Sequence, residues 1–81
     1  MNTFSVIEIT RTLHKAYQLH QSGDLEKALP LYEKILKLDP RNIDALHLLG
    51  VLQKQRGNFE SAVALIRNAI SLYAQNPLFH A

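Results

Sequence analysis

Four histidines, His14, His20, His47 and His80, are the side chains in this 81-residue chain that first suggest chemistry. Imidazole is the commonest metal ligand and titrates nearest to neutral pH. The spacing speaks against both uses. No two of the four stand at i, i+4, and no acidic residue completes a ligand set. His20 and His47 could meet only across neighbouring helices, and surface polar roles account for all four. The chain has no cysteine, which excludes disulfides and thiolate metal sites. Ser5, Ser22, Ser61 and Ser71 sit where helix caps or helix surfaces would use them, and no nucleophile, base and orienting group fall together. Three glycines are too few for a phosphate-cradling loop. The residues therefore predict no catalytic, metal or cofactor site in this segment.

The totals narrow the partners. Nine Lys and Arg against seven Asp and Glu give a net charge of +2, and bases alternate with acids, as in "LEKALPLYEKILK". A nucleic-acid surface would mass its cations on one face with aromatics between them, so nucleic acid is not an expected partner. The opening "MNTFSVIE" has no basic, apolar leader, and the longest apolar run, "ALHLLGVL", is far too short to cross a bilayer. No membrane contact is expected, and the lack of cysteine suits the reducing cytoplasm.

What remains is a period. Gly23 and Gly57 stand 34 residues apart, as do Ala28 and Ala62, Glu26 and Glu60, and Leu38 and Leu72. Leu25 answers to Phe59, Leu29 to Val63, Tyr32 to Ile66 and Leu36 to Ile70, so size and polarity keep register throughout. Within each unit the apolar residues recur at helical spacing. Leu25, Ala28, Leu29, Tyr32, Ile35 and Leu36 make one stripe, and Phe59, Ala62, Val63, Ile66, Ala69 and Ile70 another. The helix "IDALHLLGVLQKQ" is apolar on most sides and should be covered on both flanks. Asp24, Asn42 and Asn58 are placed to cap helix starts, and Gly23 and Gly57 to supply the positive φ of tight turns. Pro30 lies inside a helix, where it deletes one backbone bond; a tolerated kink is the expectation.

A 34-residue helix–turn–helix period resembles the tetratricopeptide repeat. Repeat 2 carries the pattern best, in Leu46, Leu49 and Gly50 of its first helix and Ala62 and Ile66 of its second, with Ala69 a turn later. Repeat 1 is looser. Thr12 and Lys15 replace large apolar residues, while Ala16, Leu19, Ala28, Tyr32 and Pro40 fit. Ala74 stands where a terminal proline is expected. The resemblance implies an all-α solenoid forming a single domain over residues 1–81. Repeat 1 covers about 9–42, repeat 2 about 43–76, and 77–81 is the truncated start of a third repeat and a fifth helix. Gly50, Ala16, Ala28 and Ala62 are the expected points of close helix approach.

The ends differ in kind. Ser5 and Glu8 could form a capping box, with Phe4 and Ile9 as a hydrophobic staple, for a first helix from Val6 to about Gln21. After Asn76 and Pro77 a new helix opens and does not continue, and the preceding helix carries more apolar residues than one neighbour can cover. A longer parent protein is expected, together with a homo-oligomer that covers the open C-terminal end.

By the resemblance, the first helices line a groove that binds extended protein segments. Repeat 1 would present Thr10, Leu13, Tyr17, His20 and Gln21, and repeat 2 would present Asp44, His47, Val51, Lys54 and Gln55. Tetratricopeptide domains that bind chaperone tails clamp a terminal carboxylate with Lys and Asn; the matching sites here are Leu13, Tyr17, His47 and Val51, so that clamp is absent. The phrase "ALHLLGVLQKQRGNFESAVALIRNAI" is similar to the opening repeats of bacterial proteins related to O-linked N-acetylglucosamine transferases. The asparagine ladder of that family would need Asn at His14 and Leu48. The expected function is a non-catalytic interaction scaffold; the alternative is the substrate-recruiting region of a glycosyltransferase whose catalytic domain lies beyond residue 81.

Overall fold

A computed structural model describes residues 3–75, with side chains from residue 5 onward. Its four helices are α1 (Thr3–Gln21), α2 (Leu25–Leu38), α3 (Ile43–Gln55) and α4 (Phe59–Ala74). They form two hairpins, α1 with α2 and α3 with α4, and α3 packs onto α2 between them. The all-α, two-hairpin expectation holds. The expected fifth helix at 77–81, the Asn76–Pro77 start signal, His80 and the Phe4 staple side chain lie outside the described residues.

Two identical turns make the hairpins. After α1, Gly23 takes φ 85°, its N–H reaching the His20 carbonyl and the Asp24 N–H the Leu19 carbonyl. After α3, Gly57 takes φ 83°, with bonds from Gly57 to Lys54 and from Asn58 to Gln53. Both are the glycine-terminated helix end in which two backward bonds satisfy orphan carbonyls. The residue after each glycine then starts the next helix, so the chain reverses with no spare residues.

The caps come out unequally. Asn42 Oδ1 accepts from the Ala45 N–H at 2.9 Å, and Asp24 accepts more weakly from Lys27 at 3.4 Å. Asn58 makes no side-chain cap, contrary to the sequence expectation. Its amide instead donates to Gln53 Oε1, which also holds Arg56, so the side chain is turned back over the end of α3. The capping box at Ser5 is also corrected. Helix α1 already begins at Thr3, which places Ser5 inside the first turns, since no Pro or Gly interrupts "TFSVIE". Pro30 is tolerated: α2 runs unbroken through it, with the ring exposed.

The core lies where α1, α2 and α3 meet. Ala16, Ala28, Tyr32, Ile35, Ala45 and Leu52 are fully buried there, with Ile9 and Leu49 nearly so. Three of the six are alanines, the small residues that let helix axes approach. Gly50 goes further. A Cβ at that position would stand 2.6 Å from Ile66 Cγ1 and 3.3 Å from the Ala62 carbonyl oxygen, so α3 and α4 touch through a missing side chain. Gly50→Leu is expected to wedge the second hairpin apart and to cost about 1–3 kcal/mol in urea unfolding, despite leucine's better helix propensity. A stabilised variant would show that the contact is not tight. Surface ion pairs add little: Lys34 to Glu8 and Arg56 to Glu26, each at 3.1 Å, tie α2 to α1 and α3 to α2 at the solvent edge.

Candidate functional site

Between the two first helices runs a cleft of about 470 Å³. On α1, Thr10, His14 and Tyr17 fall at i, i+4, i+7 with Leu13 beside them, which puts all four on one face. Asp44, His47 and Leu48 form the opposite wall on α3. The floor is apolar, since Leu13 and Leu48 both pack against the core. The rim is polar and carries one negative charge and no lysine or arginine. Tyr17 is 41% exposed, and its hydroxyl oxygen accepts a bond from Gln21 Nε2 at 2.9 Å, which leaves its own proton available to donate. The Thr10 hydroxyl is spent on the Val6 carbonyl at 2.9 Å. Asp44 lies in the first turn of α3, where the helix N-terminus favours a negative charge, and among the described residues no cation pairs with it.

Of the ten residues expected to line a groove, five are thus brought together: Thr10, Leu13, Tyr17, Asp44 and His47. Gln21 braces Tyr17 from the next turn. Val51 and Lys54 lie further along α3, away from the cleft walls. His14 and Leu48 also line the cleft, although the sequence marks both as places where asparagines are missing and His14 otherwise as a surface histidine. Their signal was available, for they stand 34 residues apart and one turn from Thr10 and Asp44.

His20 corrects the sequence reading outright. It is not a surface histidine but a buried one, 9% exposed, with both ring nitrogens engaged. Nε2 lies 2.6 Å from Gln55 Oε1 and Nδ1 lies 2.9 Å from the Tyr32 hydroxyl. An amide oxygen can only accept, so Nε2 carries a proton, and in the neutral ring Nδ1 then accepts from the Tyr32 hydroxyl. The two rings meet edge-on, 5.7 Å apart. This chain of bonds joins α1, α2 and the end of α3, and it takes His20 and Gln55 out of the groove. Burial, reinforced by the nearby Tyr17, pushes the Tyr32 hydroxyl up to about 12. Among the described residues no group of three or more His, Asp or Glu could hold a metal ion, and no helix is long and apolar enough to cross a membrane.

Stacked helical hairpins that expose a cleft built from their first helices define a helical-repeat scaffold. The chain belongs to the tetratricopeptide repeat family, whose sequence model matches residues 19–81. Among known proteins it is similar to the mitochondrial import receptor subunit TOM70 of Rattus norvegicus, 36% identical over 64 residues. The human TOM70 is 34% identical over a match of the same length. A third relative is the BBSome complex member BBS4 of Bos taurus, 35% identical over 49 residues, or 60% of this chain. The TOM70 matches take in 78% of the chain, which spans about a tenth of the length of these relatives. They lend no weight to the glycosyltransferase resemblance or to a bacterial setting.

Proposed function

We propose that the chain is a non-catalytic protein-interaction module that holds an extended segment of a partner protein in the cleft between α1 and α3. The observation that carries this reading is the composition of the cleft: an apolar floor of Leu13 and Leu48, an exposed hydroxyl on Tyr17, and at the rim an Asp44 with no ion-pair partner among the described residues. Such a site takes apolar side chains and orients the segment by a few polar contacts. With one carboxylate and no lysine or arginine on its walls, it suits a segment that places a lysine or arginine beside its apolar residues, and it disfavours a terminal carboxylate. The import-receptor relative supports the broader half of the reading, because its name describes a receptor subunit.

The test is selection of binders from a random peptide display library, followed by fluorescence anisotropy on the enriched peptides. Tyr17→Ala and His47→Ala, both at exposed positions, are expected to weaken binding about tenfold or more. Asp44→Asn should selectively weaken peptides that carry a cation, while Glu33→Gln on α2 leaves binding unchanged. Failure to enrich any peptide, or equal binding by the Tyr17 and His47 variants, would overturn the reading.

A further inference from the structure

Helices α2 and α4 stand in equivalent positions of the repeat but are covered to different degrees. On α2, Tyr32 and Ile35 are fully buried, sealed by α3 through Ala45, Leu49 and Leu52. On α4, Phe59 is 64% exposed, Val63 48% and Ile70 61%, with Ile66 half-buried against Gly50. These positions, continued by Tyr73, are spaced alternately by four and three residues. That 3.5-residue repeat keeps a seam on one face of a helix that packs lengthwise on another helix. The buried edge of α4, Ala62 and Ala69, lies to one side of the seam, and the charged pair Glu60 and Arg67 lies to the other.

We propose that this seam is a homodimer interface in which two copies lay α4 against α4 in antiparallel fashion about a two-fold axis. Two observations choose a second copy in this arrangement. The first is charge. With Phe59 facing Ile70 of the other copy and Val63 facing Ile66, the flank residue Glu60 comes within about two residues, roughly 3 Å along the axis, of Arg67 on the other copy. The two-fold repeats the pair, and within one chain neither Glu60 nor Arg67 has an ion-pair partner among the described residues. Those two side chains also line, with Phe59 and Val63, one shallow cleft along α4, so the flank is open to a neighbour. The second is the opposite end of the molecule. Head-to-tail stacking would ask α1 of the next copy to do what α3 does on α2. The α1 residues 34 positions before Ala45, Leu49 and Leu52 are Arg11, Lys15 and Gln18, all exposed. A face with two cations and an amide cannot seal an apolar seam, so the self-pairing is isologous and closes at two copies. Ile66, Ile70 and Tyr73 of the seam also line, with Ile43, Asp44 and His47, a second hollow that adjoins the α1–α3 cleft at Asp44 and His47.

Sedimentation equilibrium of the 81-residue chain across tens to hundreds of micromolar tests the proposal. The expected mass is twice the 9.2 kDa of one chain, rising no further with concentration. Ile70→Lys should give the single-chain mass with unchanged helical circular dichroism, since that side chain is more than half exposed in one chain. Arg67→Glu should raise the dimer dissociation constant about tenfold by facing like charges, and the exchange of both signs, Glu60→Arg with Arg67→Glu, should restore it. A single-chain mass at every concentration, growth beyond two copies, or a double exchange no tighter than Arg67→Glu alone would each overturn the proposal. The last outcome separates a specific antiparallel pairing from a merely adhesive patch.

Discussion

Tyr32→Ala is expected to remove a large part of the chain's stability, about 3–5 kcal/mol in urea unfolding at 25 °C. A domain of 81 residues has roughly 4–12 kcal/mol of stability at the usual 0.05–0.15 kcal/mol per residue. Truncating a fully buried aromatic side chain costs about 3–5 kcal/mol, because the lost transfer energy is compounded by the cavity left behind. Tyr32 is fully buried, and its hydroxyl donates to His20. Removing it also takes away the hydrogen-bond partner of His20 Nδ1. Tyr32→Phe separates the two contributions. It keeps the ring and loses only the bond, at a cost of about 1–3 kcal/mol for an unsatisfied buried acceptor. Urea unfolding of the three proteins should rank them wild type, Phe, Ala; a Phe variant as stable as wild type would show that the bond to His20 contributes nothing.

The same hydroxyl gives stability a defined pH dependence. Its ordinary value of 10.0 is raised to about 12 in the folded chain, chiefly because burial disfavours the phenolate. Below pH 10 both folded and unfolded chains keep the proton and this contribution is complete. Between about pH 10 and pH 12 the unfolded chain releases it while the folded chain retains it, so stability falls as pH rises, by about 1.4 kcal/mol per pH unit. Tyr32→Phe lacks the group, and its profile should fall less steeply across that window. Parallel profiles would show that Tyr32 ionises alike in both states.

Leu52→Ala should be the second large loss, about 2–5 kcal/mol in urea unfolding. Leu52 is fully buried in the cluster that includes Ala16, Ala28, Tyr32 and Ile35, so its removal opens a cavity where α1, α2 and α3 converge. Leu38→Ala is the control. That leucine ends α2 and is 44% exposed, and its truncation should cost below about 1 kcal/mol. Equal losses at the two sites would mean that the hairpins do not share one core.

The contrast between Leu52 and Leu38 shows how far the sequence reaches. Both are leucines on apolar helical stripes, and periodicity alone cannot rank them. The turns were legible because their cause is local: a positive φ at Gly23 and Gly57 needs only glycine and two backward bonds within the same few residues. Gly50 was legible for a related reason, since a glycine in mid-helix costs stability unless something approaches closely, and Ile66 does. Half of the expected groove was also legible, because Thr10, Leu13 and Tyr17 keep one helical face. His20 was not. It keeps nearly that spacing too, and only the arrival of Tyr32 and Gln55, 12 and 35 residues away, turns it from a surface group into a buried one. Asn58 failed in the same way, its amide drawn to Gln53 by a competition that no single-helix rule contains.

The 34-residue period by itself determined four helices, two hairpins and the small residues at their crossings, because each of those depends on spacing and on backbone geometry within one repeat. Which stripe is covered was decided by tertiary structure alone. The apolar stripes of α2 and α4 are written alike; α3 lies over the first, and among the described residues no helix lies over Val63 and Ile70 of the second. Burial depends on what a face meets in space, and a stripe does not name its neighbour.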